Sequence, residues 1–263
     1  MIALLAAATL AAAPAPVSTA TPAPTSPAAA PDADATRILA GAARGDSYPI
    51  LAELTDGVGA RLAGSPGAAA AVQWAEAWFR KAGIPVRLQP VQVNHWVRGE
   101  ERAEVLAAPG RRAQPLAVTA LGNSAPTPPS GLEGEVVEVG SLEELAALGE
   151  KVKGRIVIFQ HDMKVSSDYG RASRLRMRGP DAAARQGAVA ALVRSASTAS
   201  FRLPHTGATV FQPGTAPIPA AALATEDAEL LHRLLAAGPV RVRLVLGGRT
   251  AEPPLAPSAN VIA

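Results

Sequence analysis

The sequence contains no cysteine. Neither a disulfide nor a thiolate metal site is open to it, and the compartment is left undecided by that absence. Aromatic residues are scarce, 3% of 263 residues, although 48% of the chain is hydrophobic. A core must therefore be assembled from Ala, Val and Leu. Each buries less area than an aromatic ring, so many are needed to offset chain entropy. Long apolar runs are also missing. "MIALLAAATLAAAPAP" is cut by Pro14 and Pro16 well below the roughly 20 residues of a spanning helix, so no transmembrane segment is expected. Catalytic signatures are missing too. "GSPG" at 64–67 is not a Gly-x-Ser-x-Gly elbow. "LGGRT" at 246–250 has no Lys after its glycines. The four histidines, His95, His161, His205 and His232, show no His-Glu-x-x-His spacing.

Charge is present but of limited meaning. The formal net charge is +3, mostly from arginine. The densest cluster is "GRASRLRMRG", residues 170–179, with only Tyr169 nearby to stack on a base. The cluster reads as a solvated face, and no nucleic-acid partner is expected.

The first sixteen residues have the apolar run and Ala-x-Ala ending of an export signal, without its basic start. Residues up to 35 are rich in Pro, Ala, Thr and Ser and read as a flexible linker. An exported protein, periplasmic or extracellular, is expected, folded from about Thr36. Residues 36–56 predict helix divided at Gly45, with Asp46 or Ser47 capping the second piece. Ser65 and Pro66 predict the start of a helix that ends at Gly83, with Val72, Ala75, Phe79 and Ala82 as its apolar stripe. Strands are predicted at 86–93 (on an edge or bulged at Pro90), 103–108 and 114–121. From Gly134 strand and helix alternate. "GEVVEVG", "GRIVIFQ", "AVAALVRS", "IPAAALA" and "VRVRLVLG" are strands. "SLEELAALGE" is a helix with a Ser141/Glu144 capping box. "DYGRASRLRMRGPDAAARQG" is a helix interrupted at Gly179 and Pro180, and "EDAELLHRLLAAG" is one capped by Thr225. This is an α/β or α+β unit of about 150 residues, an ordinary domain size.

That block resembles a protease-associated (PA) domain. "DSYPILAELTDGVGARLAGSPG", "HWVRGEE", "APTPPSGLEGEVVEV", "RSASTASFRLPHTG" and "IPAAALATEDAELL", five strings in order, resemble the carboxypeptidase Q-like family of zinc metallopeptidases from about residue 46 onward. The resemblance implies an α/β fold class: a β-rich PA-type cap inserted into a zinc-aminopeptidase sheet domain. Residues 1–35 are then the signal-like segment and linker, 36–98 the leading helical part of the catalytic domain, 99–252 the cap, and 253–263 the return into the catalytic sheet. It implies two zinc ions as cofactor, a peptide or dipeptide substrate, and allows a homodimer. In the family the first ligands lie in a Gly-His-x-Asp stretch after this point. No zinc ligand or catalytic residue is therefore assigned here, and this chain alone is expected to be inactive.

The remaining candidates are modest. His161 stands beside Asp162, but neighbours in an extended segment point opposite ways, so they are not read as a metal pair. His232 lies within a helix between apolar residues and is read as packing or surface. His95 and Trp96, at the predicted junction of two domains, are interdomain candidates. His205, with Thr206 and Gly207, sits in a Pro- and Gly-bearing loop of the cap and is the substrate-cleft candidate. The alternative reading is a complete, non-catalytic PA-type module that binds peptides or proteins. The first reading expects Leu51, Leu54, Val72, Phe79, Val261 and Ile262 to leave an apolar patch uncovered.

Overall fold

The computed structural model describes residues 32–43, 45, 47–198 and 201–263. The export-signal-like run and nearly all of the linker lie outside those residues, as does the capping candidate Asp46. The chain divides into two units, Met1–Ile50 and Leu51–Ala263.

The first unit holds α1 (Ala33–Ala43) and the start of α2 (Ser47–Gly57). Helix α1 begins three residues before Thr36, the expected start of the fold, because Asp32 Oδ1 accepts a hydrogen bond from Asp34 N at 3.2 Å. The break at Gly45 is where the sequence puts it. No side chain of α1 is buried.

In the second unit, α3 (Pro66–Lys81) starts as predicted, with Ser65 accepting from Ala68 N. Its stripe is only half-buried, and Ala82 falls beyond the helix and is exposed. Strand β1 (Arg87–Val97) follows and pairs antiparallel with β10 (Arg249–Ile262) in a two-stranded ribbon, bulged between Asn94 and Trp96. Of the six apolar residues expected to lie uncovered, none is buried. Leu51 is exposed and the other five are half-exposed.

Between the ribbon's two strands lie eight others: β2 (Glu101–Val105), β3 (Gln114–Leu116), β4 (Val118–Ala120), β5 (Leu132–Val139), β6 (Ile156–Phe159), β7 (Ala190–Arg194), β8 (Ala220–Leu223) and β9 (Arg241–Leu246). They form one sheet of order β3-β2-β9-β5-β6-β7-β8-β4. The single predicted strand 114–121 is thus two. Its halves lie at opposite ends of the strand order, separated only by Ala117. A sheet whose two end strands are one residue apart must roll into a barrel. Glu101 closes the seam by accepting from Ala120 N at 2.9 Å.

Strands β5 to β8 run parallel and are linked through α4 (Leu142–Leu148) and α5 (Tyr169–Arg185); α6 (Thr225–Ala237) follows β8. Burial alternates along β6. Ile156 and Ile158 join the barrel core with Leu231 of α6, whereas Val157 and Phe159 join a second core with Leu145 of α4 and Leu175 of α5. Both faces are covered, so the strand reads as an unbroken apolar run. Three local expectations change. Helix α5 is continuous through Pro180. The preceding Gly179 has no Cβ to clash with the proline ring. A Cβ there would also meet the Phe159 ring at 2.7 Å, so the residue lets the helix lie flat on the sheet. The capping box of α4 is modified: Glu144 N donates to Ser141 Oγ, but Glu144 Oε2 accepts from Gly140 N. The N-cap of α6 is Ala224, and Thr225 Oγ1 donates to Glu226 Oε2.

Candidate functional site at the ends of the parallel strands

Because β6, β7 and β8 are parallel, the segments that leave them converge on one edge of the sheet, where α/β folds commonly bind ligands. Arg194, the last residue of β7, is the hub. Its side chain is 8% exposed and pairs with Glu229 at 3.2 Å and Asp162 at 3.1 Å. It also donates to His161 O at 3.5 Å and Ser195 O at 3.4 Å. Gln160 Nε2 reaches the same Glu229 oxygen at 3.1 Å. A buried cation held by two carboxylates and two carbonyls locks the loops after β6 and β7 together. Glu229 therefore serves Arg194 of the neighbouring strand. Beside the hub a cleft of about 320 Å³ is lined by Arg194, Thr198, Thr225, Glu229 and Arg233.

The loop carrying His205, Thr206 and Gly207 starts from that edge at His205 and runs along β4. His205 N donates to Ser195 Oγ at 2.7 Å, and Ser195 Oγ donates to Leu223 O at 2.5 Å. Thr206 Oγ1 donates to Ala120 O at 2.8 Å, and Gly122 N to Gly207 O at 2.8 Å. The His205 ring is exposed and lies 6.2 Å from the Tyr169 ring. Further back, Arg202 donates to Asp227 at 3.3 Å and to Pro115 O at 2.9 Å, tying the loop to α6 and to the barrel seam.

His95 and Trp96 leave the β1 backbone in opposite directions. Trp96 is 5% exposed within the barrel core, its Nε1 donating to Ser124 O at 3.0 Å and its ring beneath Arg98. The His95 ring faces the loop before α3, where a Cβ on Gly64 would meet it at 3.0 Å. Arg98 Nη1 donates to Ala120 O at 3.0 Å, so this carbonyl joins the Trp96 region to Thr206.

The other histidines are accounted for locally. Burial, and then Arg171, hold the His161 imidazole below its ordinary value. His161 is not gathered into a metal centre: among the described residues no group of three or more His, Cys, Asp or Glu is placed to hold an ion. His232 Nδ1 meets Glu138 Oε1 at 2.7 Å. That hydrogen bond, then the Glu138 charge, raises the His232 pKa above 6.5. A raised folded-state pKa stabilises fully below the unfolded value and is lost as pH climbs through the folded one. Stability should therefore fall as pH rises from about 6.5 through the raised folded-state value. Because His232 is half-exposed, the loss should stay below about 1 kcal/mol. Urea midpoints at pH 5.5 and pH 8 for the wild type and Glu138→Gln measure it, and the variant should lose the difference.

Sequence reasoning singled out His205 and Trp96 but missed Arg176, Arg194, Arg202 and Asp227. For Arg194 a signal was present: a charged residue directly after four apolar strand residues, "AALV".

No protein-family model matches the sequence. The chain is 37% identical over 225 residues to carboxypeptidase Q of Bos taurus, covering 85% of the chain and 46% of that protein. It is 37% identical over 212 residues to the Homo sapiens carboxypeptidase Q, covering 80% and 44%. The chain thus spans under half the length of the curated relatives it matches. Among solved structures, a peptidase M28 precursor from Shewanella amazonensis superposes with a TM-score of 0.79 at 36% identity, over 88% of this chain and 53% of that one. A zinc aminopeptidase from Bacillus subtilis shares the fold at a TM-score of 0.53 and 20% identity, over 81% and 45%.

Proposed function

The chain is carboxypeptidase Q-like in sequence, with the α/β fold of the M28 peptidases, and from that premise we propose that it supplies the lid and part of the scaffold of an exported zinc peptidase. The protein as a whole hydrolyses peptides or dipeptides. Residues 99–252 are its PA-type cap, 36–98 and 253–263 belong to the catalytic domain, and the two zinc ions are held by residues outside this sequence. Two copies pairing is part of the same reading.

One observation carries it. Strong sequence likeness to a peptidase coexists with the lack, among the described residues, of any donor set fit for a metal. The side chains present do not fit zinc, so no hydrolytic step is derived through them. The ribbon lends further support. β1 and β10 run side by side, so the chain leaves for the barrel and comes back at one place, as an inserted cap requires. So do the half-exposed apolar residues of α3 and β10, which suit a scaffold with further packing partners. Export is supported by the apolar opening run, and no helix among the described residues is long and apolar enough to cross a membrane. The purified chain, incubated with zinc and desalted, should retain no stoichiometric zinc and cleave no dipeptide. Retained zinc together with cleavage that a chelator abolishes would overturn the proposal.

A further inference from the structure

Around the C-terminal ends of β7 and β8, Arg194 and Arg202 have acidic partners. Arg176, on α5, has none among the described residues; Arg171, Arg174 and Arg178 of the same helix have none either, but those three are exposed and Arg176 is half-buried. It takes part in none of the ion pairs among the described residues. Its Nη2 donates to Tyr169 Oη at 3.2 Å and its Nη1 makes a long contact with Thr206 O at 3.5 Å. Both acceptors are neutral. Its Nε is enclosed without an acceptor among the described residues. Gly207 presses its backbone on the guanidinium, since a Cβ there would lie 2.7 Å from Nε. A half-buried guanidinium facing only neutral acceptors keeps an uncompensated positive charge, and each terminal nitrogen has a second N–H to give.

Two more donors stand beside it. Tyr169 lies with its ring 5.8 Å from the guanidinium carbon and accepts from Arg176, which leaves its own hydroxyl proton free to donate. His205 uses its backbone N–H on Ser195, and its ring, 6.2 Å from that of Tyr169, makes no hydrogen bond among the described residues. The loop that presents it is preorganised: Thr209 N donates to Gly122 O at 3.0 Å and Thr209 Oγ1 to Met177 O at 3.1 Å, in addition to the bonds of His205, Thr206 and Gly207. Tyr169 and Met177, both more than two-fifths exposed, give the surroundings an apolar floor. The carboxylates on either side in sequence are engaged elsewhere: Asp168 accepts from Lys164 N and Val165 N at 3.0 and 3.2 Å, and Asp181 accepts from Gln212 N at 2.9 Å and pairs with Arg185 at 3.2 Å.

We propose that Arg176, Tyr169 and His205 form an oxyanion-binding pocket on the barrel, sized in charge for a single carboxylate, and that it takes the free carboxyl end of a small peptide. One cation with neutral donors balances a singly charged group better than a doubly charged one such as phosphate. The pocket stands on its own geometry, while the choice of a peptide rests on the peptidase reading.

The test titrates the whole chain with glycyl-leucine, glycyl-leucinamide, acetate and inorganic phosphate, following His205 and Tyr169 ring resonances by NMR. Glycyl-leucine should saturate the site, and the amide should bind at least about 10-fold more weakly because it lacks the charge. Arg176→Gln should weaken the acid about 10-fold or more, and Tyr169→Phe about 3-fold, as loss of a charged and a neutral donor demands. Tyr169→Phe and His205→Gln remove only single polar functions, so they decide the matter even if Arg176→Gln disturbs the fold. Equal binding of acid and amide, indifference to all three substitutions, or tighter binding of phosphate would overturn the pocket. Saturation by acetate without glycyl-leucine would overturn the peptide assignment. Zinc retention and cleavage are read separately, so an active chain that ignores glycyl-leucine sinks the pocket alone, and a silent chain that binds it leaves the pocket standing.

Discussion

Trp96→Ala should lower the unfolding free energy of this chain by about 3–5 kcal/mol, the range for deleting a buried aromatic. The indole is 5% exposed and belongs to the barrel core. Its removal opens a cavity lined by that core, and the Ser124 carbonyl loses the Nε1 donor it had at 3.0 Å. The neighbours cannot simply collapse into the space. Gly248 is already so near the ring that a Cβ would sit 2.2 Å from it. The damage has a place as well as a size, because Trp96 is the β1 residue through which the ribbon grips the barrel. Hydrogen exchange should quicken first at Trp96, Thr250 and their neighbours, which pair across the ribbon. Trp96→Phe keeps most of the packing and should lose only about 1–2 kcal/mol, mainly the unmet carbonyl. Urea unfolding followed by far-UV circular dichroism measures both. An alanine variant within about 1 kcal/mol of the wild type would show that the indole is not the anchor described here.

Asp227→Ala is expected to be nearly as severe, about 3–4 kcal/mol, from losing two charge-assisted hydrogen bonds at a buried carboxylate. Asp227 sits in the first turn of α6 with its side chain 5% exposed. Its Oδ2 accepts from Ala117 N at 2.6 Å, and the carboxylate also receives Arg202 at 3.3 Å. Ala117 is the one residue between β3 and β4, so this bond holds the corner at which the barrel closes. The variant leaves an amide N–H without its acceptor and sets Arg202 loose from α6. Asp227→Asn retains an acceptor oxygen and should cost about half as much. The same denaturation series separates the two. Equal stability of the alanine and asparagine variants would remove the acceptor role.

Some of this could be read from the sequence, and the reasons are local. Helix α3 announces itself through Ser65, Pro66 and the spacing of Val72, Ala75 and Phe79. β9 does so through the strict alternation of "VRVRLVL", whose buried residues are Val240, Val242, Leu244 and Leu246. Features set by distant parts of the chain stayed hidden. Gly179–Pro180 reads as a helix stop until Phe159 is known to lie beneath it. Residues 114–121 read as one strand because nothing local marks Ala117 as the turn of a barrel. Asp227 reads as an ordinary first-turn acid favourable to the helix dipole, whereas its main partners are 110 residues away at Ala117 and 25 away at Arg202. Arg176 reads as one of a solvated row, and only the fold shows that it lacks an acid. The sequence does identify the His205 loop, but through its proline and glycine and its likeness to a family. The hydroxyl, carbonyl and guanidinium that hold it come from three separate places, the end of β7, β4 and α5.

The paired β1–β10 stem also makes the barrel a natural cassette. Gly99 and Gly247 meet so closely that a Cβ on the first would lie 2.6 Å from the backbone of the second. Both ends of the excursion are therefore stapled at one spot, and a different unit could be transplanted between them without stretching the host. Evolution or an engineer could thus exchange what covers a cleft while leaving the chemistry beneath it untouched.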